Sequence, residues 1–267
     1  MPGRISIGTS GFSYDDWVGP FYPMGLKKHR WFDYYLQEFD ALEVNASYYA
    51  WLSAKAVSSL VERAPRGFRF AVKLNKEVTH QKSDVDEGLR ATIEQNRPFA
   101  EAGCLASQLA QFPNGFRPTD ENWSRVEAIV EALDPLTLEF RHDHWQAPDS
   151  MARLANLGVS LCSVDQPRIE GLLEFDDTVI GPLAYARFHG RNAAMWYEHE
   201  KAWQRYDYLY SEAEVRELTA SVRKMSEKAK ETLVFFNNHY GAQAVTNARQ
   251  MSEQLGRPIR ERQPKLF

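Results

Sequence analysis

The sequence predicts a (β/α)8 barrel, and three observations carry that prediction. Apolar strand-like runs alternate with helical patterns from end to end, the arrangement that builds βαβ units around a parallel sheet. Eight such runs end in polar residues that mostly fall on one side of their strand. The chain has 267 residues, close to the roughly 250 that one such barrel takes. A single domain over residues 1–267 follows, with its chemistry expected at the C-terminal ends of the strands.

The first run, residues 5–7, ends in Gly8, Thr9, Ser10 and Gly11. Backbone N–H groups in such a turn can cradle a phosphate, and a tight βα turn needs glycine for its own sake. Both readings stand. The second run ends in Glu43, Val44 and Asn45, and the third in Val72 and Lys73. The fourth ends between Gln108 and Gln111, and the fifth in Glu139, Phe140, Arg141 and His142. Val164 and Asp165 end the sixth, Arg187, Phe188 and His189 the seventh, and Asn237 and Asn238 the eighth.

Helical signals fill the gaps. Ser53 precedes a face of Ala56, Val57, Leu60 and Val61, which Pro65 and Gly67 end. Asp120 is the expected cap of a helix bearing Val126, Ile129, Val130 and Leu133. Ser211 and Glu214 have capping-box spacing ahead of Val215, Leu218 and Val222. Gly158 closes the helix holding Met151, Leu154 and Leu157. Arg257, Arg260, Arg262 and Lys265 in the tail read as a solvated basic segment.

Side chains alternate across a strand, so each run sorts into two faces. Its apolar side packs on helices and its polar side points into the barrel. The inward set is then Glu43, Glu139 and Asp165 against Lys73, Arg141 and Arg187, with His189 beside them. An internal ion-pair network could simply fill the barrel. Desolvation offsets the attraction of buried pairs, however, so several of them at strand ends favour function over stability.

Hydrophobic residues make up 43% of the chain and charged residues 25%, the balance of a globular protein. A net charge of −4 makes nucleic acid an unlikely partner without excluding it. No apolar stretch has the length of a membrane span, and no signal peptide is evident. Cys104 and Cys162 sit in apolar runs with no metal-site spacing, consistent with buried residues and a cytoplasmic location. Aromatic residues follow the strands: Tyr14, Trp17, Phe21 and Tyr22 after the first, Tyr48, Tyr49 and Trp51 after the second. Trp145 follows the fifth, and Trp196, Tyr197, Trp203, Tyr206, Tyr208 and Tyr210 follow the seventh. They are expected either to stack on a ligand or to form hydrophobic lids over the barrel mouth.

These segments resemble domain-of-unknown-function family 72, the YecE-like family. The matches are Gly8 to Phe12 with Tyr14, Trp17, Gly19, Phe21, Tyr22 and Pro23; Glu43, Val44 and Asn45 with Tyr48 and Tyr49; Phe70 to Lys73; and Gln111, Phe112 and Pro113. Further matches are Glu139 to His142 with Trp145, Asp165 with Pro167, Arg187 to Gly190, and Phe236, Asn237 and Asn238 with Gly241, Ala244, Asn247 and Ala248. Asn114 and the pair Asp143 and His144 depart from the family's usual residues. The resemblance implies the same barrel and brings no established activity.

The residues themselves point to an anionic small molecule, phosphorylated or carboxylated and sugar-like in size. Arginine binds such groups as a fork and lysine as a point charge, which nominates Lys73, Arg141 and Arg187. Tyr14, Trp17, Asn45, Tyr48, Gln108, His142, Trp145, Asn237 and Asn238 complete the expected binding set. Glu43, Glu139, His189 and Asp165 are the expected acid and base groups of a hydrolase or lyase type of enzyme. No cofactor is expected. The second reading is a metal-dependent phosphodiesterase, endonuclease or isomerase, with a divalent ion on Glu139, Asp165 and His189. The third is a barrel that binds a ligand or nucleic acid without turnover. His80 and His239 read by default as polar loop residues.

Overall fold

The computed structural model describes residues 2–81 and 85–257. Eight parallel strands close in sequence order. They are β1 (Arg4–Ser10), β2 (Ala41–Val44), β3 (Arg69–Lys73), β4 (Leu105–Gln111), β5 (Leu136–Glu139), β6 (Ser160–Asp165), β7 (Leu183–Phe188) and β8 (Glu231–Phe236). β1 pairs with both β2 and β8, which leaves no free edge.

Nine helices among the described residues wrap the barrel: α1 (Trp31–Tyr35), α2 (Ala46–Tyr49), α3 (Ala54–Arg63), α4 (Lys76–Thr79), α5 (Val85–Glu101), α6 (Asp120–Ala132), α7 (Pro148–Leu157), α8 (Glu212–Lys228) and α9 (Gln243–Gln254). None is long and apolar enough to cross a membrane. Ser53 caps α3 by accepting from the Ala56 N–H, and Ser211 and Glu214 form the reciprocal box that opens α8. Gly158 ends α7 with φ of 68°, a left-handed value that glycine takes without a Cβ penalty. The cap of α6 is Thr119, whose side chain accepts from the Asn122 N–H. Asp120, expected there, is the first helical residue instead, where its charge faces the positive end of the helix.

The strands bury both faces. Leu42, Val44, Phe70, Val72, Val234 and Phe236 point outward into the helical layer. Ala41, Ala71, Ala106, Leu109, Cys162, Val164, Leu183, Tyr185, Leu233 and Phe235 fill the barrel interior. The small alanines of β2 to β4 make room for Tyr185 and Phe235, whose rings lie 5.3 Å apart. This apolar plug separates two charged ends. At the N-terminal end, Arg69 of β3 makes a double hydrogen bond to Glu231 of β8, at 2.6 and 2.8 Å. At the other end lies the polar cluster described next.

Two sequence expectations change here. Cys104 precedes β4 rather than lying within a strand, and it is half-buried; both cysteines are free. Arg257 is no part of a solvated arm, because it bonds the Ile5 carbonyl and, at 2.8 Å, Asp40. Arg260, Arg262 and Lys265 lie outside the described residues.

Candidate active site

β2, β5 and β7 each send a polar side chain across the top of the apolar plug. Arg187 is the centre. Its guanidinium donates to Glu139 Oε2 at 2.6 Å and to Glu43 Oε1 at 2.7 Å. Tyr185, two residues earlier on the same face, donates to Glu43 Oε2 at 2.7 Å. Glu43, Glu139, Arg187 and Tyr185 are all buried. Charge-assisted bonds of this length are the strong kind, and a buried ion this well surrounded is one the protein can hold.

The chain of charges continues upward through Arg141. Its Nε lies 2.7 Å from Glu139 Oε1, an ion pair out of line for a hydrogen bond. Both atoms therefore keep unspent hydrogen-bonding capacity inside the barrel. Arg141 also donates to Gln166 Oε1 and to His189 Nε2, each at 3.0 Å. Arginine has no acceptor, so Nε2 is the bare nitrogen of a neutral ring and the proton sits on Nδ1. The Asn237 amide stands 2.8 Å from Nδ1 through its Nδ2; the two ends of an amide are interchangeable at such a place, and a proton on Nδ1 assigns the oxygen there.

Burial, Arg141 and Arg187 hold the His189 pKa well below the usual histidine range. His189 is thereby a neutral ring held between Arg141 and Asn237. Burial alone would raise the Glu139 carboxyl, but Arg141 and Arg187 hold it well below the usual carboxylate range. The group that does titrate near neutrality is Lys73. Burial and Arg187 pull its ammonium down to about 7, against the opposing pull of Glu139 and Glu43. Its Nζ makes no hydrogen bond or ion pair among the described residues, and it lies 4.3 Å over the Tyr48 ring.

The rim is aromatic and polar. Tyr14 bonds the Ser10 carbonyl and stacks on His239 at 4.5 Å. Tyr48 meets His80 edge to face, and Tyr206 lies 6.0 Å from His189. His80, pushed down to about 4 by burial with Lys73 and Arg141 nearby, belongs to this mouth rather than to an ordinary loop. A groove of about 390 Å³ runs on from it between His80, Pro113, Phe116, Arg117 and Arg125. Asn45 Oδ1, Ser10 Oγ and His239 Nδ1 are buried without hydrogen-bond partners, which suits a site that takes a polar ligand.

Other residues expected at the site lie elsewhere. Cys162 and Val164 are the inward residues of β6, so Asp165 faces out. There it accepts from Tyr210 at 2.6 Å and pairs with Arg191 at 2.7 Å. Gln108 also faces out and binds Asn96 of α5. Asn238 bonds Tyr208 and Asn247. Trp17 and Trp145 are core residues whose indole N–H groups bond the carbonyls of His239 and Phe116. Glu139, Asp165 and His189 therefore do not converge as a ligand set. Among the described residues, the metal-type donors that do cluster within 4.8 Å are His142, Asp143 and His144. They are consecutive in one turn after β5, beside a groove of about 930 Å³ that includes no residue of the charge chain. The phosphate-cradle reading of the first loop also fails, because the N–H groups of Thr9 and Gly11 bond Tyr35 and the Glu43 carbonyl.

Sequence reasoning left out Gln166 and did not count Tyr185 among the site residues. Tyr185 shares the strand parity of Arg187 and was legible from it. Gln166 carries no period and no motif.

The family model described as "Protein of unknown function DUF72" matches residues 6–266. UPF0759 protein YunF of Bacillus subtilis is 29% identical over 274 residues, covering 94% of each chain. A DUF72 family structure from Thermotoga maritima is 36% identical, with a TM-score of 0.89 over 95% of this chain and 99% of that one. One from Enterococcus faecalis is 30% identical, with a TM-score of 0.85 over 99% and 100%.

Proposed function

The chain belongs to the DUF72 family, whose description names no activity, and from the chemistry of the barrel mouth we propose that it is an enzyme that binds an anionic small molecule and works by general acid–base catalysis. The ligand carries a phosphate or a carboxylate. One observation carries the reading: the charge chain of Glu43, Arg187, Glu139 and Arg141 pairs its own charges and leaves Lys73 above it as a part-exposed cation with no ion-pair partner among the described residues.

The roles divide by exposure. Arg187 and Glu43 are buried and paired, Arg187 with Glu139 as well, so they set the field of the site. Arg141 is 11% exposed and, with Lys73, offers donors to an incoming anion. Glu139 stays ionised and Lys73 changes protonation near neutral pH. An acid–base pair whose members are driven apart in this way suits proton transfer at pH 7. The chemistry needs no cofactor.

A thermal-melt screen tests it, with inorganic phosphate, glycerol phosphate, pyruvate and uncharged glycerol at pH 6.5 and 8.5, each with and without chelator. A ligand at about 100 times its dissociation constant adds roughly 2.7 kcal/mol. The expected result is a rise in Tm with the anions, larger at pH 6.5 and unchanged by chelator. A rise with glycerol equal to that with glycerol phosphate overturns the anion reading. A collapse of Tm on chelation moves the assignment to a metal protein.

A further inference from the structure

We propose that Lys73 is the amine nucleophile of this site and forms an imine with the carbonyl carbon of an anionic aldehyde or ketone. The inference rests on the anion-binding half of the reading above and names the substrate class and the bond that forms. The whole mouth supplies few alternatives. The Cys162 thiol lies in the apolar plug and burial pushes its pKa well up. Both ring nitrogens of His189 are engaged. Glu43 and Glu139 are clamped by guanidinium groups.

Lys73 differs from all of these in its geometry. It is the last residue of β3 and has the same inward parity as Ala71 of the barrel plug. It stands part-exposed above buried charges, and among the described residues its Nζ is tied to nothing but the face of Tyr48 at 4.3 Å. A nitrogen without hydrogen bonds can swing to a carbonyl carbon without breaking any. Arg141 is near enough to help lower the Lys73 pKa and is partly open, with capacity for the ligand's phosphate or carboxylate. The depressed pKa, about 7, agrees with this: at neutral pH about half of Lys73 is free amine, against roughly one part in a thousand or less for an ordinary lysine.

The step balances without a cofactor. The Nζ lone pair forms a C–N bond to the carbonyl carbon, and the C=O π pair takes a proton to give a carbinolamine. The nitrogen pair then expels that oxygen, with a second proton, as water. Neutral amine, carbonyl and one proton give one protonated imine and one water. The C–O bond is broken and nothing is oxidised or reduced.

The test uses glyceraldehyde 3-phosphate and its parent glyceraldehyde with cyanoborohydride, which reduces the imine to a stable amine. Tryptic mass mapping then compares Lys73 with the solvent-facing Lys55 and Lys228. The expected result is alkylation of Lys73 by the phosphate ester on the order of a hundredfold faster than of either surface lysine. Its rate should rise with pH to a plateau through a midpoint near 7, and Lys73→Arg should lose the adduct. If Lys73 reacts no faster than Lys55 and Lys228, the proposal is overturned, even where phosphate still raises Tm and the anion reading stands. If the ester and glyceraldehyde label Lys73 equally fast, the imine stands and the anion reading falls. The wild-type map and its pH profile decide the matter without any variant.

Discussion

The two ends of the barrel each hold inward-pointing arginine and glutamate, and they use them differently. At the N-terminal end, Arg69 makes a double hydrogen bond to Glu231 and donates once more to the Gly103 carbonyl. Both are part-exposed, at 26% and 18%, and water shares their solvation. At the C-terminal end, Arg187 serves two carboxylates at once and both are buried. That chain runs on to Arg141 and leaves Glu139 Oε1 and Arg141 Nε without hydrogen bonds. Same residue types, same parity, different outcome: one pair lies part in water, while the other chain is buried and keeps unspent polar atoms. This matches the division of labour seen in such barrels, with stability at one end and chemistry at the other.

Breaking each end should separate the two. Arg187→Ala leaves two buried carboxylates unpaired and should cost about 3–5 kcal/mol, read as a lowered urea midpoint. The sequence groups Arg187 with the anion binders, whereas its place between two buried carboxylates is that of a brace. Arg141→Met removes a partly open donor, and phosphate affinity should fall about ten- to a hundredfold by calorimetry with the fold retained. Arg69→Met should cost about 1 kcal/mol or less and leave phosphate affinity unchanged. A loss of affinity there would mean that the two ends are coupled through the plug.

The pH responses sharpen the contrast. Lys73 is near 7 when folded and near 10.4 when unfolded. Between those values the unfolded chain holds a proton that the folded one has released, so stability rises with pH across that window. Below about 7 the full cost of the charged amine is present. Lys73→Met should therefore raise the urea midpoint more at pH 6 than at pH 9.5. The same protonation makes phosphate affinity of the native protein fall as pH rises through about 7. The smallest effect expected is Tyr48→Leu, which removes the aromatic face under Nζ. It should change stability by about 0.5–1 kcal/mol and shift the midpoint of the phosphate pH profile.

Much of this was legible in the chain because a barrel strand has a period of two. That period put Glu43, Lys73, Glu139, Arg141, Arg187 and His189 on one face, and the structure brings all six to one mouth. It failed where both faces are apolar. In β6, Cys162 and Val164 are small enough to face the axis, so nothing marked Asp165 as outward. In β4, a register shift against β3 disturbs the count. The tryptophans misled for another reason. An indole buried in a loop needs one carbonyl, and no local pattern tells whether His239 or Phe116 will supply it.

Arg187 lies 144 positions from Glu43 and 48 from Glu139 along the chain. Contacts so distant in sequence are the late and slow ones in folding. As the chain emerges during synthesis, Glu43 has no guanidinium to meet until β7 is made. Its carboxylate must stay in water until then, which argues against early burial of β2. The cluster thus ties the barrel's circumference into one cooperative unit. Two separately expressed halves of this chain, cut between β4 and β5, would each carry part of the mouth, and phosphate binding would appear only on their reassembly.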